Sequence, residues 1–312
     1  MDPLFQVTIL GCNAAIPSKE RNTTSQLVQF AEKFFLLDCG EGALKQMVEM
    51  NIPFIRISRI FISHLHGDHV FGLIGLLTTM NLLGRTNPLY IYSPNGIKEL
   101  IEIQLRICGQ VELKFTLNIQ EHDTEQTKIV FEDKDLVVSS IPLLHRVPTT
   151  GYHIQEKERA PKLNKQLLLD RELTLEQIKS LKRKEDLNIK GEVLPWKDFV
   201  IRLGSNRSYA FCTDTAYSPA ICDLIFQSDL LYHESTYSNL DEPIAIQSLH
   251  STSIQAAKIA QQSKCKYLLL GHLSSRYKDL NILLEEAKLF FPNSRLAEDK
   301  MSVQIHRDIV TF

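Results

Sequence analysis

A layered α/β fold with one stretch set into it is the architecture this sequence predicts, and three observations carry the prediction. Short β-rich runs, among them FQVTILG, FFLLDCG, RIFISH, LYIYSP, DLVVSSIP, SYAFCTD, DLLYHES and KYLLLGH, alternate with helical patterns along most of the chain. Several of these runs end on a polar residue able to do chemistry: Asp38, His64, His145, Asp214, Glu234 and His272. Strand ends are where a rigid scaffold delivers side chains to a site, so the recurrence points to a single domain over residues 1–312 built around one site. The third observation is a break in that rhythm. From about Gln155 to Trp196 the chain is charged, holds LTLEQIKSLKRKEDL at helical spacing, and reads on composition either as an inserted arm or as a solvated surface helix.

Composition narrows the function classes. With 312 residues, 44% of them apolar, the chain can bury a sizeable core. It has no run of 18 apolar residues, and MDPLFQVTIL lacks a basic start and a small-residue cleavage site, so a cytoplasmic protein without a membrane partner is expected. The six cysteines are scattered without a CxxC pair, which suits reduced, buried thiols. A net charge of −2 excludes a globally basic nucleic-acid binder. Between Glu156 and Lys190, however, ten Lys/Arg face seven Asp/Glu, a local +3 that leaves −5 elsewhere.

In chain order, the first concentrated chemistry is FISHLHGDHV at 61–70, which sets His64, His66, Asp68 and His69 directly after a strand. Imidazole and carboxylate are the usual zinc ligands outside all-cysteine sites, and they leave positions open for water. Further ligand capacity arrives with His145 in PLLHRVP, Asp214 in FCTDTA and His272 in LLLGHLS. Seven such groups predict two metals with one carboxylate bridging, an arrangement that clamps the oxygens of a phosphoryl displacement. Gly67 is expected at a sharp turn between ligands, and VFGLIGLLTTMNLLG from Val70 reads as a helix starting at the site. His250 in LHSTS precedes a capping box, Thr252 to Gln255, that would anchor its loop. His233, next to Glu234 in a strand, should point to the opposite face, and His122, His153 and His306 have no partners readable here and default to surface or core.

The segment SHLHGDHVFGLIGLL resembles the signature of the metallo-β-lactamase superfamily. PSKERNTTS, LLDCGEG, LLTTMNLLGR, AFCTDTAYS, YHEST followed by LHSTS, and GHLSSRY narrow the resemblance to the ribonuclease Z family, over nearly the whole chain apart from the arm. It implies an αββα sandwich with a protruding arm and a zinc-dependent endonuclease that removes the 3′ trailer from precursor tRNA, leaving a 3′-hydroxyl on the tRNA and a 5′-phosphate on the trailer. It also implies two Zn2+ per subunit, with Mn2+ or another divalent ion as the alternative, and a homodimer. By the same resemblance His64, His66 and His145 would hold one ion, Asp68, His69 and His272 the other, and Asp214 would bridge. Asp38 matches the position that orients a ligand histidine through its outer ring nitrogen.

The catalytic roles implied are Asp68, holding the proton of the attacking water, and His250 paired with Glu234, protonating the leaving oxygen. Arg21, Asn22, Thr23 and Thr24, with Thr78, Thr79 and Arg276, resemble the loops lining the family's RNA cleft, and Lys182, Arg183 and Lys184 fall where its tRNA-gripping arm belongs. The chain departs from the family in GCNAAIP, which has fewer glycines than usual, and in lacking a glycine- and proline-rich arm tip. A small-molecule metallohydrolase of the same superfamily, a thioesterase or lactonase, is the alternative, though it has no use for a basic arm or the His250–Glu234 pair. A metal-free RNA-binding scaffold is the other, against which stands the full set of seven ligand positions.

Overall fold

The structure is a computed structural model and describes residues 2–109, 112–158, 161–189, 191–202, 206–307 and 309–312. Arg159 and Lys190, counted above in the basic stretch, lie outside the described residues. The chain divides into two compact units, one of residues 1–155 with 207–312 and one of residues 156–206.

The first unit opens with strands β1 (Phe5–Gly11), β2 (Ser25–Phe30) and β3 (Lys33–Leu37), antiparallel neighbours. Helix α1 (Ala43–Glu49) follows, then β4 (Ile57–Phe61), α2 (Gly67–Val70), α3 (Leu73–Leu82), β5 (Leu89–Pro94), α4 (Ile97–Ile107) and β6 (Leu117–His122). From β3 to β6 the pairing is parallel, each crossover carrying a helix or helical turn. A second sheet starts with β7 (Ile129–Glu132), β8 (Leu136–Leu143) and β9 (Thr149–Glu156).

The inserted unit then runs through β10 (Lys162–Leu163), α5 (Lys165–Asp170), α6 (Leu175–Lys182), β11 (Leu187–Ile189), β12 (Glu192–Leu194), a 3-10 turn at Trp196–Phe199 and β13 (Val200–Arg202). Thr174 caps α6 reciprocally with Gln177, and Leu163, Leu181, Leu187 and Phe199 form a small core. This unit extends past Trp196 because β13 returns to pair with β10.

The second sheet resumes with β14 (Ser208–Cys212), β15 (Leu230–Glu234), α7 (Glu242–Ser248), α8 (Ser253–Gln262), β16 (Tyr267–Gly271), α9 (Asn281–Lys288) and β17 (Ser294–Leu296). The chain closes with β18 (Ser302–Ile305) and β19 (Val310–Thr311), which join the first sheet beside β1. Among the described residues the first sheet runs β19-β18-β1-β2-β3-β4-β5-β6 and the second β17-β16-β15-β14-β9-β8-β7.

Alternation along each strand builds the layers, since successive side chains point to opposite faces. In β3, Phe35 and Leu37 join the core between the sheets, while Phe34 and Leu36 join the layer that α1, α3 and α4 cover. The inter-sheet core takes Phe5, Phe30 and Phe61 from one sheet and Tyr152, Phe211, Tyr232 and Leu269 from the other. Phe61 stacks on Tyr92 at 4.9 Å, and Phe211 on Tyr232 at 5.3 Å. Beyond the second sheet, Ala256, Ala257, Ile259 and Ala260 of α8 and Ala287 of α9 pack on Leu231, Leu268 and Leu270. Helix, sheet, sheet, helix is the resulting order, as the family resemblance implies. Each fully buried large apolar side chain contributes about 1.5–3 kcal/mol, and Phe61→Ala would cost about 3–5 kcal/mol through the cavity left behind.

Candidate metal centre

The strand ends place the chemistry. Tyr152 donates to the carbonyl of Ile62 (2.7 Å), and Thr150 N–H donates to Ser63 O (2.9 Å), so the segment leaving β4 is pinned to the second sheet. His64 and His66 follow, and α2 carries Asp68 and His69. Gly67 is the first residue of α2 rather than a sharp turn, and its hydrogen leaves room for the Phe71 ring, which a Cβ would meet at 2.2 Å. The expected helix from Val70 is likewise corrected: it divides into α2 and α3 because Gly72 packs against the loop after β3. Gly72 N–H donates to Cys39 O, and a Cβ there would sit 2.2 Å from Gly40 O.

Three of the strand-end residues, Asp38, Asp214 and His272, hold φ values of 55°, 29° and 51°. Such left-handed backbone costs non-glycine residues about 1–3 kcal/mol each and persists where the surroundings impose it.

The seven predicted ligands converge in two groups that could each hold an ion, His64, His66, His145 and Asp214, and Asp68, His69 and His272; a third, overlapping group joins Asp214 and His272 to His250. Asp214 faces both. Its Oδ2 lies 3.6 Å from His64 Nε2 and 3.8 Å from His145 Nε2, and its Oδ1 lies 3.2 Å from both His69 Nε2 and His272 Nε2. Asp68 Oδ2 completes the second group at 3.4 Å from His69 Nε2 and 3.5 Å from His272 Nε2. His64 Nε2 and His66 Nδ1 face each other at 3.0 Å.

The outer ring nitrogens say which inner nitrogens carry lone pairs. His69 Nδ1 donates to Asp38 Oδ2 (2.7 Å) and His145 Nδ1 to Leu249 O (3.0 Å), leaving Nε2 of each as an acceptor. His69 Nε2 and His272 Nε2 are buried and make no hydrogen bond. Burial opposes charge on His69, yet Asp214, Asp38 and Asp68 around it raise its pKa well above the usual imidazole value, so without metal its Nε2 holds a proton that a bound cation would displace to reach the lone pair. Burial would raise Asp214 and Asp68, but the adjacent histidines hold both well below the carboxylate range. Orphaned inward nitrogens among buried anionic carboxylates fit a divalent cation.

His250 and Glu234 form the second functional pair. Glu234, buried at the end of β15, accepts from His250 Nδ1 (2.8 Å) and Thr215 N–H (2.6 Å) at Oε1, and from the Thr236 hydroxyl (2.6 Å) at Oε2. Burial works against a charged His250, but the facing carboxylate carries its pKa up to about 9. Thr252 and Gln255 make the expected capping box at the start of α8, two residues from His250. His233 donates to Glu234 O and joins neither group of ligands.

A cavity of about 410 Å³ opens over this centre, lined by His66, Asp68, His145, Asp214, His250 and His272 among others. Several lining residues escape sequence reasoning. The Ala15 amide donates to Asp68 Oδ2 (2.8 Å) from a left-handed φ of 60°. Thr236 also lines the cavity, and Arg146 is the one Lys/Arg doing so among the described residues. A lone alanine amide, hydroxyl or arginine leaves no pattern in a sequence, although Arg146 sits beside His145 in HRVP.

The residues expected to line an RNA cleft are not among those lining this cavity. Thr23 and Thr24 are buried, so their hydroxyls are not presented at the surface. Arg21 Nε donates to Asn13 Oδ1 (3.0 Å), and Asn22 donates through N–H and Nδ2 to Asp299 Oδ2. Thr78 turns its hydroxyl back to Ile74 O (2.8 Å), and Thr79 shares its helix, α3. Arg276, exposed, pairs with Asp241 at 3.5 Å and lies over the Tyr237 ring. In the inserted unit Arg183 pairs with Glu185, Lys184 pairs with Glu158 and lies 5.7 Å from the Trp196 ring centre, and Lys182 is exposed.

Known proteins of similar shape define the class. Human tRNase Z, short form, shares the fold at a TM-score of 0.72 and 28% identity, over 96% of this chain and 99% of that one. A metallo-β-lactamase fold protein of Bacillus subtilis matches at 0.67 and 18% identity, over 97% and 100%. This is a metallo-β-lactamase-fold protein with a centre able to hold divalent metal. A family model described as the anti-Pycsar protein Apyc1 matches residues 5–121, a stretch that stops short of His145, Asp214 and His272.

Ribonuclease Z of Phocaeicola vulgatus is 39% identical over 96% of this chain and 97% of its own length, and that of Porphyromonas gingivalis is 38% identical over 96% and 99%. The chain belongs to the ribonuclease Z family and is a phosphodiester-hydrolysing endoribonuclease.

Proposed function

We propose that this chain is a zinc-dependent endoribonuclease that removes the 3′ trailer of precursor tRNA, leaving a 3′-hydroxyl on the tRNA and a 5′-phosphate on the trailer. The observation that carries the reading is Asp214, whose two oxygens face two separate ligand groups 3.2–3.8 Å away. His64, His66 and His145 would hold one ion, Asp68, His69 and His272 the other, with Asp214 shared. Imidazole and carboxylate donors suit Zn2+, with Mn2+ or another divalent ion as the alternative occupant. When bound, such ions lower the pKa of water and offset phosphate charge.

The chain's own groups supply the rest. Asp68, steadied by the Ala15 amide, holds or accepts the proton of the attacking water. As the bond between phosphorus and the tRNA 3′ oxygen breaks, that oxygen takes a proton from His250, which Glu234 holds charged and oriented. Asp38 keeps His69 in its ligand tautomer. Arg146, on the cavity wall, meets the phosphate backbone. Arg183 and Lys184 exchange their carboxylate neighbours for tRNA phosphates, the exposed Lys182 meets phosphate beside them, and Arg276 gives up Asp241 likewise near the cavity. By the same family reading the enzyme works as a cytoplasmic homodimer.

Incubation with precursor tRNA bearing a 3′ trailer, with and without chelator, followed by end mapping, tests this. A metal-dependent cut leaving the stated ends is expected. Hydrolysis of thioesters or lactones without RNA cleavage replaces the reading with that of a small-molecule hydrolase.

A further inference from the structure

We infer that Ser63 and Thr236 are matched positioning residues, each relaying a buried carboxylate to the outer nitrogen of one ligand histidine and so setting the affinity of one of two metal ions. The inference rests on the two-ion reading above. Both side chains are nearly inaccessible, Ser63 at 0% and Thr236 at 4% exposure.

Ser63 Oγ lies 2.8 Å from Asp38 Oδ2 and 3.0 Å from His64 Nδ1. Thr236 Oγ1 lies 2.6 Å from Glu234 Oε2 and 2.9 Å from His272 Nδ1. A hydroxyl has one proton, and an ionised carboxylate can only accept. The proton therefore goes to the carboxylate in each case, and the hydroxyl oxygen must accept from the imidazole. Thr236 has a second possible acceptor in His272 O at 3.1 Å, but the bond to the carboxylate is shorter and charge-assisted. With the proton of His64 and His272 held at Nδ1, their lone pairs stand at Nε2, the atoms that face Asp214.

The same plan thus occurs twice. Asp38 serves His69 directly and His64 through Ser63, and Glu234 serves His250 directly and His272 through Thr236. Each hydroxyl lies two residues beyond a strand end, Ser63 after β4 and Thr236 after β15. One relay reaches a ligand in the group of His64, His66 and His145, the other a ligand in the group of Asp68, His69 and His272. Without its hydroxyl, either histidine can carry its proton at Nε2 instead and lose its hold on the ion. Thr236 also links the His250–Glu234 pair to that ligand shell.

The test is Zn2+ titration of the full chain against a chromophoric chelator, for wild type, Thr236→Val, Thr236→Ser and Ser63→Ala, with melting of each metal-free protein in parallel. Removing a group that orients a ligand typically weakens metal binding about 10–100-fold. We expect Thr236→Val to weaken one ion by that factor and Ser63→Ala the other, while Thr236→Ser stays near wild type. If wild type binds two ions and both deletions bind both ions equally well, the inference is overturned. It is also overturned if Thr236→Ser is as weak as Thr236→Val, because side-chain size rather than the hydroxyl would then matter. Should Thr236→Val not fold, Thr236→Ser and Ser63→Ala still decide. A wild-type chain that takes up fewer than two ions overturns the two-ion reading instead.

Discussion

The strand-end centre and the inserted unit handle charge in opposite ways. At the centre Asp38, His69, Asp214 and Glu234 are almost fully buried, and Asp38, Asp214 and Glu234 accept hydrogen bonds from neighbouring backbone or side-chain groups. Among the described residues of 156–206 most charged groups, though not the buried Glu156, reach solvent, and several pair with close neighbours, as Lys179 does with Glu176 and Arg183 with Glu185. Buried charge must be fully partnered, which makes it rigid and position-specific. Exposed pairs are weak and readily exchanged. The centre is thus specified atom by atom, whereas the insert holds its charge on a small folded platform with few fixed partners.

The most severe disturbance of this division is Asp214→Ala. Both ligand groups lose their shared carboxylate, and the loss of metal-supplied stabilisation, several kcal/mol, corresponds to about three orders of magnitude or more in RNA cleavage. Metal analysis together with cleavage rates checks it, and two ions retained at wild-type affinity would remove Asp214 from the shared position.

Next comes His250→Ala, expected to slow cleavage about 10²–10⁴-fold at unchanged metal content. The sign of the pH effect follows from the raised pKa. His250 donates only while protonated, so activity declines as pH rises through its pKa. Glu234→Gln removes the carboxylate that raises it, and the alkaline limb of the kcat profile should then move to lower pH. An unmoved limb assigns that limb to another group.

A triple change of Lys182, Arg183 and Lys184 to Ala probes the solvent-exposed side of the division. It should raise KM for precursor tRNA about tenfold and flatten the salt dependence of binding by up to about 0.9 for each phosphate no longer neutralised. Metal content should stay as in wild type. A salt slope identical to wild type would show that this stretch does not meet phosphate.

The smallest effect is His153→Gln. His153 stands with Nε2 3.2 Å from Ser228 Oγ, and burial pushes its pKa down to about 4. The unfolded chain, with an imidazole pKa of about 6.5, takes up this proton first. Stability therefore falls as pH drops from about 6.5 towards 4 and then stops falling for this group. By pH 5 the loss is at most about 2 kcal/mol, and urea unfolding at pH 7 and pH 5 should show the variant spared it.

The layers and the ligand set are legible in the sequence for a physical reason. Short continuous apolar runs such as KFFLL and YLLLG announce strands covered on both faces, and four potential metal ligands within residues 64–69 have no use in a core. What is hidden there is what depends on three-dimensional neighbours. Thr23 and Thr24 read like cleft hydroxyls, but they are buried beside the loop after β3, where Thr23 donates to Glu41 O. Ser63 and Thr236 read like ordinary small polar residues and lie between carboxylate and imidazole. The break between α2 and α3 depends on Gly72 meeting Gly40, and the end of the insert on β13 returning to β10. None of these arrangements has a local pattern, since each needs at least one contact between segments distant in the chain.

The chain contains one tryptophan, Trp196, and it stands in the inserted unit with the Lys184 ammonium above its ring. Intrinsic emission excited at the indole band is therefore a built-in optical probe of this unit alone, needing no dye. Titrating RNA while watching that signal would follow engagement of the insert separately from turnover at the strand ends.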